Sequence, residues 1–435
     1  MLHANNPDIR RMLLAGNFGL EKESLRVTPD GFMATTPNPF VGYDHIVRDF
    51  SENQVEINTA IQPTPEAVID ELHHHNTIVH TTLAQANPPE LLWPFSNPPY
   101  IRTERDIPIA QFEGALASKT VYREHLSDVY GRYKMAFSGI HFNYSFADEL
   151  LQRDYEIACT EDGFTGSFAD YKNDLYTVLA ERSVAYGWLM VAITAASPLM
   201  DSSYVEKNCL GQDLYQGLSS TRCSELGYWN FFTPILDYSS HVAYADSIQR
   251  YIDEGLIAYP SELYYPVRLK PRGENDLDTL REQGVSHIEL RMLDLNPLVD
   301  DGLDVRDVRF AQLLLIWLAS TPRQPFTTRD QVQAMQNFKN AAHYDLKTVK
   351  IVVPNGEVYS VAHAALNVIG FMEDFFGDYS SEVTACLDFQ KQKFIDPENR
   401  YSWQVRKQFS GGFVQKGLTL AEEQQKRFVE NDDAR

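Results

Sequence analysis

The sequence predicts an α+β fold: a mainly antiparallel sheet that forms an active-site cleft, followed by a helical C-terminal part. Three observations support it. Segments with alternating polar and apolar residues, spanning 19–27, 54–58, 138–146 and 285–295, all lie before about residue 300. Segments 305–320, 330–342, 361–376, 381–393 and 419–429 then carry helical patterning joined by short polar loops. No glycine-rich loop of the Walker or Rossmann type precedes a helix, since Gly16-Asn17-Phe18-Gly19 lacks both the lysine and the spacing. The expected organisation is a sheet-containing core over 1–300 with a helical buttress over 301–435, both within one structural domain.

The first strand runs through Gly19-Leu20-Glu21-Lys22-Glu23-Ser24-Leu25-Arg26-Val27 and stops at the Thr28-Pro29-Asp30-Gly31 turn. Side chains alternate across a strand, so Glu21 and Glu23 share one face and Lys22 and Ser24 the other. Adjacent carboxylates repel, and a hard divalent cation is the usual remedy. Alone, the pair is a weak signal, because a solvated strand face is the commoner reason for it. The second acidic segment is Asp49-Phe50-Ser51-Glu52-Asn53-Gln54-Val55-Glu56-Ile57-Asn58, with Gln54, Glu56 and Asn58 opposite Val55 and Ile57. Asp49 and Glu52 stand at the mouth of that strand. By itself this too reads as an exposed face with polar alternation.

Thr64-Pro65-Glu66 opens a helix over 65–86, with Thr as N-cap and Pro at the first helical position. His73-His74-His75 within it points in three directions and reads as a solvated helix face, not one metal site. In 138–146, Ile140 and Phe142 face the core, leaving His141 and Asn143 on the opposite side. A long helix is expected over 171–195. In 285–295, His287, Glu289 and Arg291 share a face opposite Ile288 and Leu290. A carboxylate beside an arginine is commonly a structural ion pair; in a cleft it places a metal ligand beside an anion clamp. Tyr122-Arg123, Arg222 through Tyr228, and Tyr264 through Lys270 each set a tyrosine near an arginine.

The 435 residues carry a net charge of -22, which argues against nucleic-acid and anionic-membrane partners while allowing anionic small molecules in a locally cationic cleft. Cys159, Cys209, Cys223 and Cys386 form no CxxC pair and no zinc spacing, and are read as free thiols of a reducing cytoplasm. Met1-Leu2-His3-Ala4-Asn5-Asn6 has no apolar stretch of the signal-peptide kind, and no run of 18 apolar residues is present. The acidic end, from Glu422, is expected to be a terminal helix with a frayed tip.

Five ordered stretches between Gly19 and Pro297 resemble the glutamate–cysteine ligase family of the bacterial type, including the ligase half of bifunctional glutathione synthases. They are Gly-Leu-Glu-Lys-Glu-Ser-Leu-Arg-Val, the Asp49–Asn58 segment, Tyr122-Arg123-Glu124 ahead of Ser-Gly-Ile-His-Phe-Asn, Glu-Leu-Gly-Tyr, and Ile-Glu-Leu-Arg-Met-Leu-Asp-Leu-Asn-Pro. The resemblance implies a glutamine-synthetase-like sheet binding ATP and Mg²⁺ (or Mn²⁺), and ATP-dependent joining of glutamate to cysteine. It implies metal ligation by Glu21, Glu23, Asp49, Glu56, His141 and Glu289. Arg222 and Arg291 would clamp the transferred phosphate and glutamate. Tyr122, Tyr228 and Tyr264 would form the cysteine pocket, supported by Arg123. The Ser220-Thr221-Arg222-Cys223-Ser224-Glu225 segment departs from the commoner pattern, which has larger apolar neighbours and an aspartate. The resemblance leaves open a ligase of the same chemistry with another amine, a non-catalytic metal–nucleotide regulator, and a monomer or homodimer.

Overall fold

The computed structural model describes residues 1–207, 209–273 and 275–433, with the side chains of 431–433 excepted. Its strands are β1 (Gly16–Val27), β2 (Ile46–Arg48), β3 (Gln54–Asn58), β4 (Leu91–Leu92), β5 (Ile140–Phe146), β6 (Met200–Asp201), β7 (Asp213–Leu214), β8 (Val267–Lys270), β9 (His287–Leu293), β10 (Lys350–Val352) and β11 (Val358–Ser360). The main sheet has the order β2-β3-β1-β5-β9-β8, with β4 paired to the end of β1 and every pairing antiparallel. β6 with β7, and β10 with β11, form small separate hairpin-like pairs. The α+β expectation holds, and β10–β11 is the one strand pair after residue 300 among the described residues.

Register explains how distant segments converge. Glu21 lies opposite His141 on one side and Asn58 on the other, and Glu23 lies opposite Glu56. Asn143 lies opposite Glu289, which lies opposite Arg268. Opposed residues share a face, so one face of five adjacent strands, β3 to β8 in sheet order, becomes polar. The other face carries Leu20, Ile57, Ile140, Phe142, Tyr144, Ile288 and Leu290, all buried in the larger of two apolar clusters. Helices Pro65–Gln85, Phe168–Thr194 and Val305–Ser320 cover that face. The second cluster joins the far end of β1, through Leu25 and Val27, to Trp93, Phe95, Leu126, Met135 and the C-terminal helix Phe413–Asp433. The cleft opens where the two clusters meet.

Element ends follow local chemistry. Thr64 Oγ1 accepts from Ala67 N at 3.1 Å with Pro65 at the first helical position, as expected. The helix expected from 330 begins at Thr328, because Thr327 and Asp330 form a capping box. The helix expected from 171 begins at Phe168 for the same reason, with Ser167 and Asp170. β1 starts three residues earlier than read, because Gly16 to Leu20 pair with Phe146 to Phe142 of β5. The histidine run is not a uniformly solvated face: His74 is exposed, but His75 is buried against Glu71 and stacked on His45, and His73 contacts Asp301. No helix of the described residues is long and apolar enough to cross a membrane.

Lys22 sits on the apolar face between the two glutamates and is 4% exposed. Its Nζ donates to Asn76 Oδ1 at 2.8 Å, and Asn76 donates to Asp301 at 2.9 Å. Burial is the larger influence and lowers the Lys22 amine to about 8, against the pull of Asp301. Below that pH the ammonium is charged in both folded and unfolded chains, and the fold bears the desolvation. Above it the folded chain gives up a proton that the unfolded chain keeps until 10.5, so stability rises with pH across the window. Lys22→Met removes this titration. Denaturant unfolding should show the variant's stability relative to wild type falling by about 3 kcal/mol between pH 7 and pH 10.5; a difference flat with pH would contradict the buried-ammonium account.

Candidate active site

The polar face of the sheet forms the floor of a cavity of about 270 Å³. Of the twelve residues expected to act, eleven line it: Glu21, Glu23, Asp49, Glu56, His141, Arg222, Arg291, Tyr122, Arg123, Tyr228 and Tyr264. The twelfth, Glu289, lies under the floor with 0% exposure, reached through His141 and Arg291. Glu52, expected at the same mouth, turns away to Arg48 and the Gln111 amide.

The centre is built from three strands. His141 Nδ1 lies 3.0 Å from Glu21 Oε2 and 3.6 Å from Glu289 Oε1, and its Nε2 lies 3.7 Å from Glu23 Oε1. One donor atom from each of Glu21, His141 and Glu289 falls within 4.8 Å of the others. Burial and the Arg291 charge lower the His141 imidazole, which leaves a neutral ring with a lone pair for ligation. Burial opposes the charge on Glu289, but Arg291 at 3.0 Å, Lys270 and His141 hold its carboxyl well below the ordinary value. Glu289 Oε2 and Asn143 Oδ1 are buried without a hydrogen-bond partner. A buried oxygen left unpaired is costly unless something else satisfies it. Carboxylate oxygens, one neutral imidazole and an orphaned buried carboxylate oxygen fit a hard divalent cation.

The remaining acids behave differently. Burial and the Asp49 charge raise the Glu23 carboxyl to about 8. Burial, with Asp49, Glu21 and Glu23, raises Glu56 well above its ordinary value. Without a cation, this side of the floor holds protons because its carboxylates are buried and stand close to one another.

The arginines are fixed in place. Arg222 donates to the Arg291 carbonyl at 2.6 Å and the Leu293 carbonyl at 3.3 Å, strapping its loop to β9. Two glycines of the sequence motifs exist to admit it. A Cβ at Gly139 would overlap the Arg222 guanidinium, and one at Gly227 would overlap the Arg222 carbonyl. Gly139 N also donates to Glu23 Oε2 at 3.0 Å. Arg123 hydrogen-bonds the carbonyls of Asp49 and Lys119 and lies over the Phe112 ring. It ties helix Ala117–Tyr130 to the Asp49 turn.

The facing wall is aromatic. The Tyr228 and Tyr264 rings lie 3.7 Å apart, and Tyr130 meets both edge-on at 5.2 and 5.4 Å. Buried Glu262 accepts from Tyr130 at 3.0 Å and contacts His125 at 3.0 Å, while Asn230 binds the Glu262 carbonyl and the Tyr264 amide. Burial raises Tyr122 and Tyr264, so the wall is neutral. Sequence reasoning did not single out Lys134, Trp229 or Phe338, which also line the cavity. Arg268, noted in the sequence only as an arginine near Tyr264, lines it too and stands opposite Glu289 in the adjacent strand. Phe338 comes from helix Thr328–Ala341, with no local signal.

Carboxylates gathered beside fixed guanidiniums on an antiparallel sheet make a cleft for a metal ion and anionic substrates. Comparison with known proteins agrees. A sequence model described as glutamate-cysteine ligase matches residues 2–261 and 231–341. The glutathione biosynthesis bifunctional protein of Listeria monocytogenes serotype 4b is 34% identical over 446 residues, covering 99% of this chain and 56% of that protein. The glutamate–cysteine ligase of Clostridium acetobutylicum is 32% identical over 357 residues, covering 70% of this chain and 72% of that protein. The crystal structure of a bifunctional glutathione synthetase from Pasteurella multocida superposes with a TM-score of 0.84 at 25% identity, over 99% of this chain and 55% of that one. This chain belongs to the glutamate–cysteine ligase family. It spans about half the length of the bifunctional relatives it matches.

Because Glu23 holds a proton up to about pH 8, a cation that took Glu23 as a ligand would have to displace that proton. Mn²⁺ titrated calorimetrically near neutral pH should release protons, seen as a heat that depends on the buffer's ionisation enthalpy. The dissociation constant should fall as pH rises from about 6 to about 8, then level. Buffer-independent heat would remove Glu23 from the ligand set.

Proposed function

We propose that this chain activates the γ-carboxylate of L-glutamate with ATP and joins it to the amino group of L-cysteine, forming γ-glutamylcysteine, the first step of glutathione synthesis. The observation that carries this reading is the group of half-buried Glu21 with buried His141 and Glu289 beside Arg222 and Arg291, facing the Tyr122–Tyr228–Tyr264 wall across one cavity. Family membership supports the reaction class. The reading takes 1–300 as the metal- and ATP-binding core and 301–435 as its buttress, and Phe338 in the cavity wall supports their acting as one unit.

A carboxylate is a poor electrophile, so its oxygen must first take the γ-phosphoryl group of ATP with loss of ADP. In this reading Glu21, Glu23, Asp49, Glu56, His141 and Glu289 would hold Mg²⁺, and a bound divalent ion would supply positive charge to the phosphates. Arg291 is kept charged by Glu289, and burial makes its field strong. Arg222 is pre-positioned by its backbone bonds. Together they face the oxygens where negative charge spreads during transfer. The neutral tyrosine wall holds the amine substrate and keeps water from the acyl phosphate. The amine nitrogen then bonds to the acyl carbon and inorganic phosphate departs. Cys223 beside Arg222 takes no part: burial raises its thiol to about 12, which keeps it protonated.

Phosphate release should require ATP, Mg²⁺, L-glutamate and L-cysteine together, with γ-glutamylcysteine as product. Glu21→Gln and Glu289→Gln should each abolish turnover while leaving the circular dichroism unchanged. Release that prefers another amine would keep the chemistry and move the acceptor. Nucleotide binding with no release for any amine would support a metal–nucleotide regulator instead. A separate check concerns Arg222: Gly139→Ala should displace its guanidinium and lower kcat about a hundredfold, with little change in the thermal midpoint. Near-normal kcat in that variant would remove Arg222 from catalysis.

A further inference from the structure

Five cationic side chains line the cavity: Arg123, Lys134, Arg222, Arg268 and Arg291. Four are committed. Arg123 is bound to the Asp49 and Lys119 carbonyls, and Arg222 to those of Arg291 and Leu293. Arg268 is bound to the Ser261 and Leu263 carbonyls, and Arg291 to Glu289. Lys134 is the exception: its ammonium makes no hydrogen bond or ion pair among the described residues, and it is half-buried. A cation held at a cavity wall without a partner gives up part of its hydration for no protein contact, which is the arrangement of a group whose partner is a ligand.

Its position selects which ligand. Lys134 lies on the short helix Arg132–Met135, set off from helix Ala117–Tyr130 by Gly131 at φ +78°, a conformation that favours glycine. Its neighbour Met135, with Leu126, belongs to the second apolar cluster, against which Tyr122, Tyr130, Tyr228 and Tyr264 pack. Lys134 therefore enters the cavity lining from the segment that follows helix Ala117–Tyr130, the helix that carries Tyr122 and Tyr130. The acids with Arg222 and Arg291 form the floor, where the phosphates and the glutamate γ-carboxyl must meet. Tyr228 Oη, in the same wall, is buried without a partner. An ammonium and a phenol free in one neutral wall suit the two oxygens of a carboxylate.

We propose that Lys134 receives the α-carboxylate of the acceptor, so that the cavity selects amino acids over simple amines. This rests on the acyl-acceptor reading above and assigns to Lys134 a role the resemblance gave to none of its residues. The acceptor's amine must reach the floor while its carboxylate, one carbon away, stays on the wall. A flexible lysine stem lets that charge follow acceptors of different size, as a strapped guanidinium does not.

The test compares L-cysteine with cysteamine, which keeps the thiol and amine and lacks the carboxylate. Wild-type turnover with cysteine tests the ligase reading by itself. Lys134→Ala should raise KM for cysteine about tenfold to a hundredfold and leave KM for cysteamine, glutamate and ATP unchanged. Lys134→Arg should keep most of the preference for cysteine. Mn²⁺ affinity in both variants should match wild type, which separates this role from a general disturbance of the site. Equal losses for cysteine and cysteamine, or a raised KM for ATP or glutamate, would overturn the proposal. So would a wild-type enzyme that uses cysteamine as well as cysteine, and that result would leave the ligase reading standing. If another amino acid proves the better acceptor, it and its decarboxylated amine replace the pair, with the same two outcomes deciding.

Discussion

The structure turns on one buried carboxylate. Glu289 is fully enclosed, carries one oxygen bonded to Arg291 and leaves the other without a hydrogen bond. Such a group would ordinarily take up a proton on burial. Here Arg291, two residues along the same strand, and Lys270, from the paired strand β8, keep it ionised, while β5 brings His141 beside it. A one-residue slip of β8 or β5 would carry Lys270 or His141 to the apolar face and away from Glu289. Sheet register and site electrostatics are thus a single constraint. The apolar face of the same strands, packed on three helices, supplies the penalty that prevents the slip.

Charge across the floor divides into two regimes. Around Glu289 the cations outweigh the acids and the carboxylate stays charged. Around Glu23 and Glu56 burial, helped by neighbouring carboxylates such as Asp49, outweighs the arginines and protons are retained. The two regimes lie on neighbouring strands, because Glu23 is opposite Glu56 at the β1–β3 seam while Glu21 is opposite His141 at the β1–β5 seam. One half of the floor is prepared for a cation in advance, and the other must release protons to take one.

What the sequence disclosed follows the same division. Alternation identified the faces of β1, β3, β5 and β9 correctly, since a half-buried strand must alternate. The long helices were legible because their apolar stripes are long. Bridging strands of two to four residues, such as β2, β4 and β8, are too short to show a period. Eleven of the expected residues reached the cavity because they sit in ordered motifs; Lys134 and Phe338 did not stand out because nothing local marks them. Lys134 occupies a four-residue helix after a glycine break, and Phe338 is on a core-facing helix whose role in the cleft comes only from tertiary packing. The glycines of the motifs were visible as letters. Their reason, the passage of Arg222, required coordinates.

The arrangement of cations also resolves a tension in the composition. A chain with a net charge of -22 repels anions at long range, yet the proposed reaction brings phosphates and carboxylates into its cavity. Screening over roughly a Debye length, about 8 Å at physiological salt, makes the distant surface count for little inside the cleft. What acts there is local, and the guanidiniums of Arg222 and Arg268 are fixed by main-chain carbonyls instead of by acids. A carbonyl orients a guanidinium without cancelling its charge, so the positive field survives and needs no reorganisation when negative charge develops before it. Arg291 differs, since Glu289 partly neutralises it, and that carboxylate is itself a candidate metal ligand. A cation shared at Glu289 would draw the carboxylate's charge away from Arg291 and strengthen the guanidinium's hold on an anion. On this argument metal and anionic substrate favour each other's binding through the same two side chains, and the buried ion pair couples them.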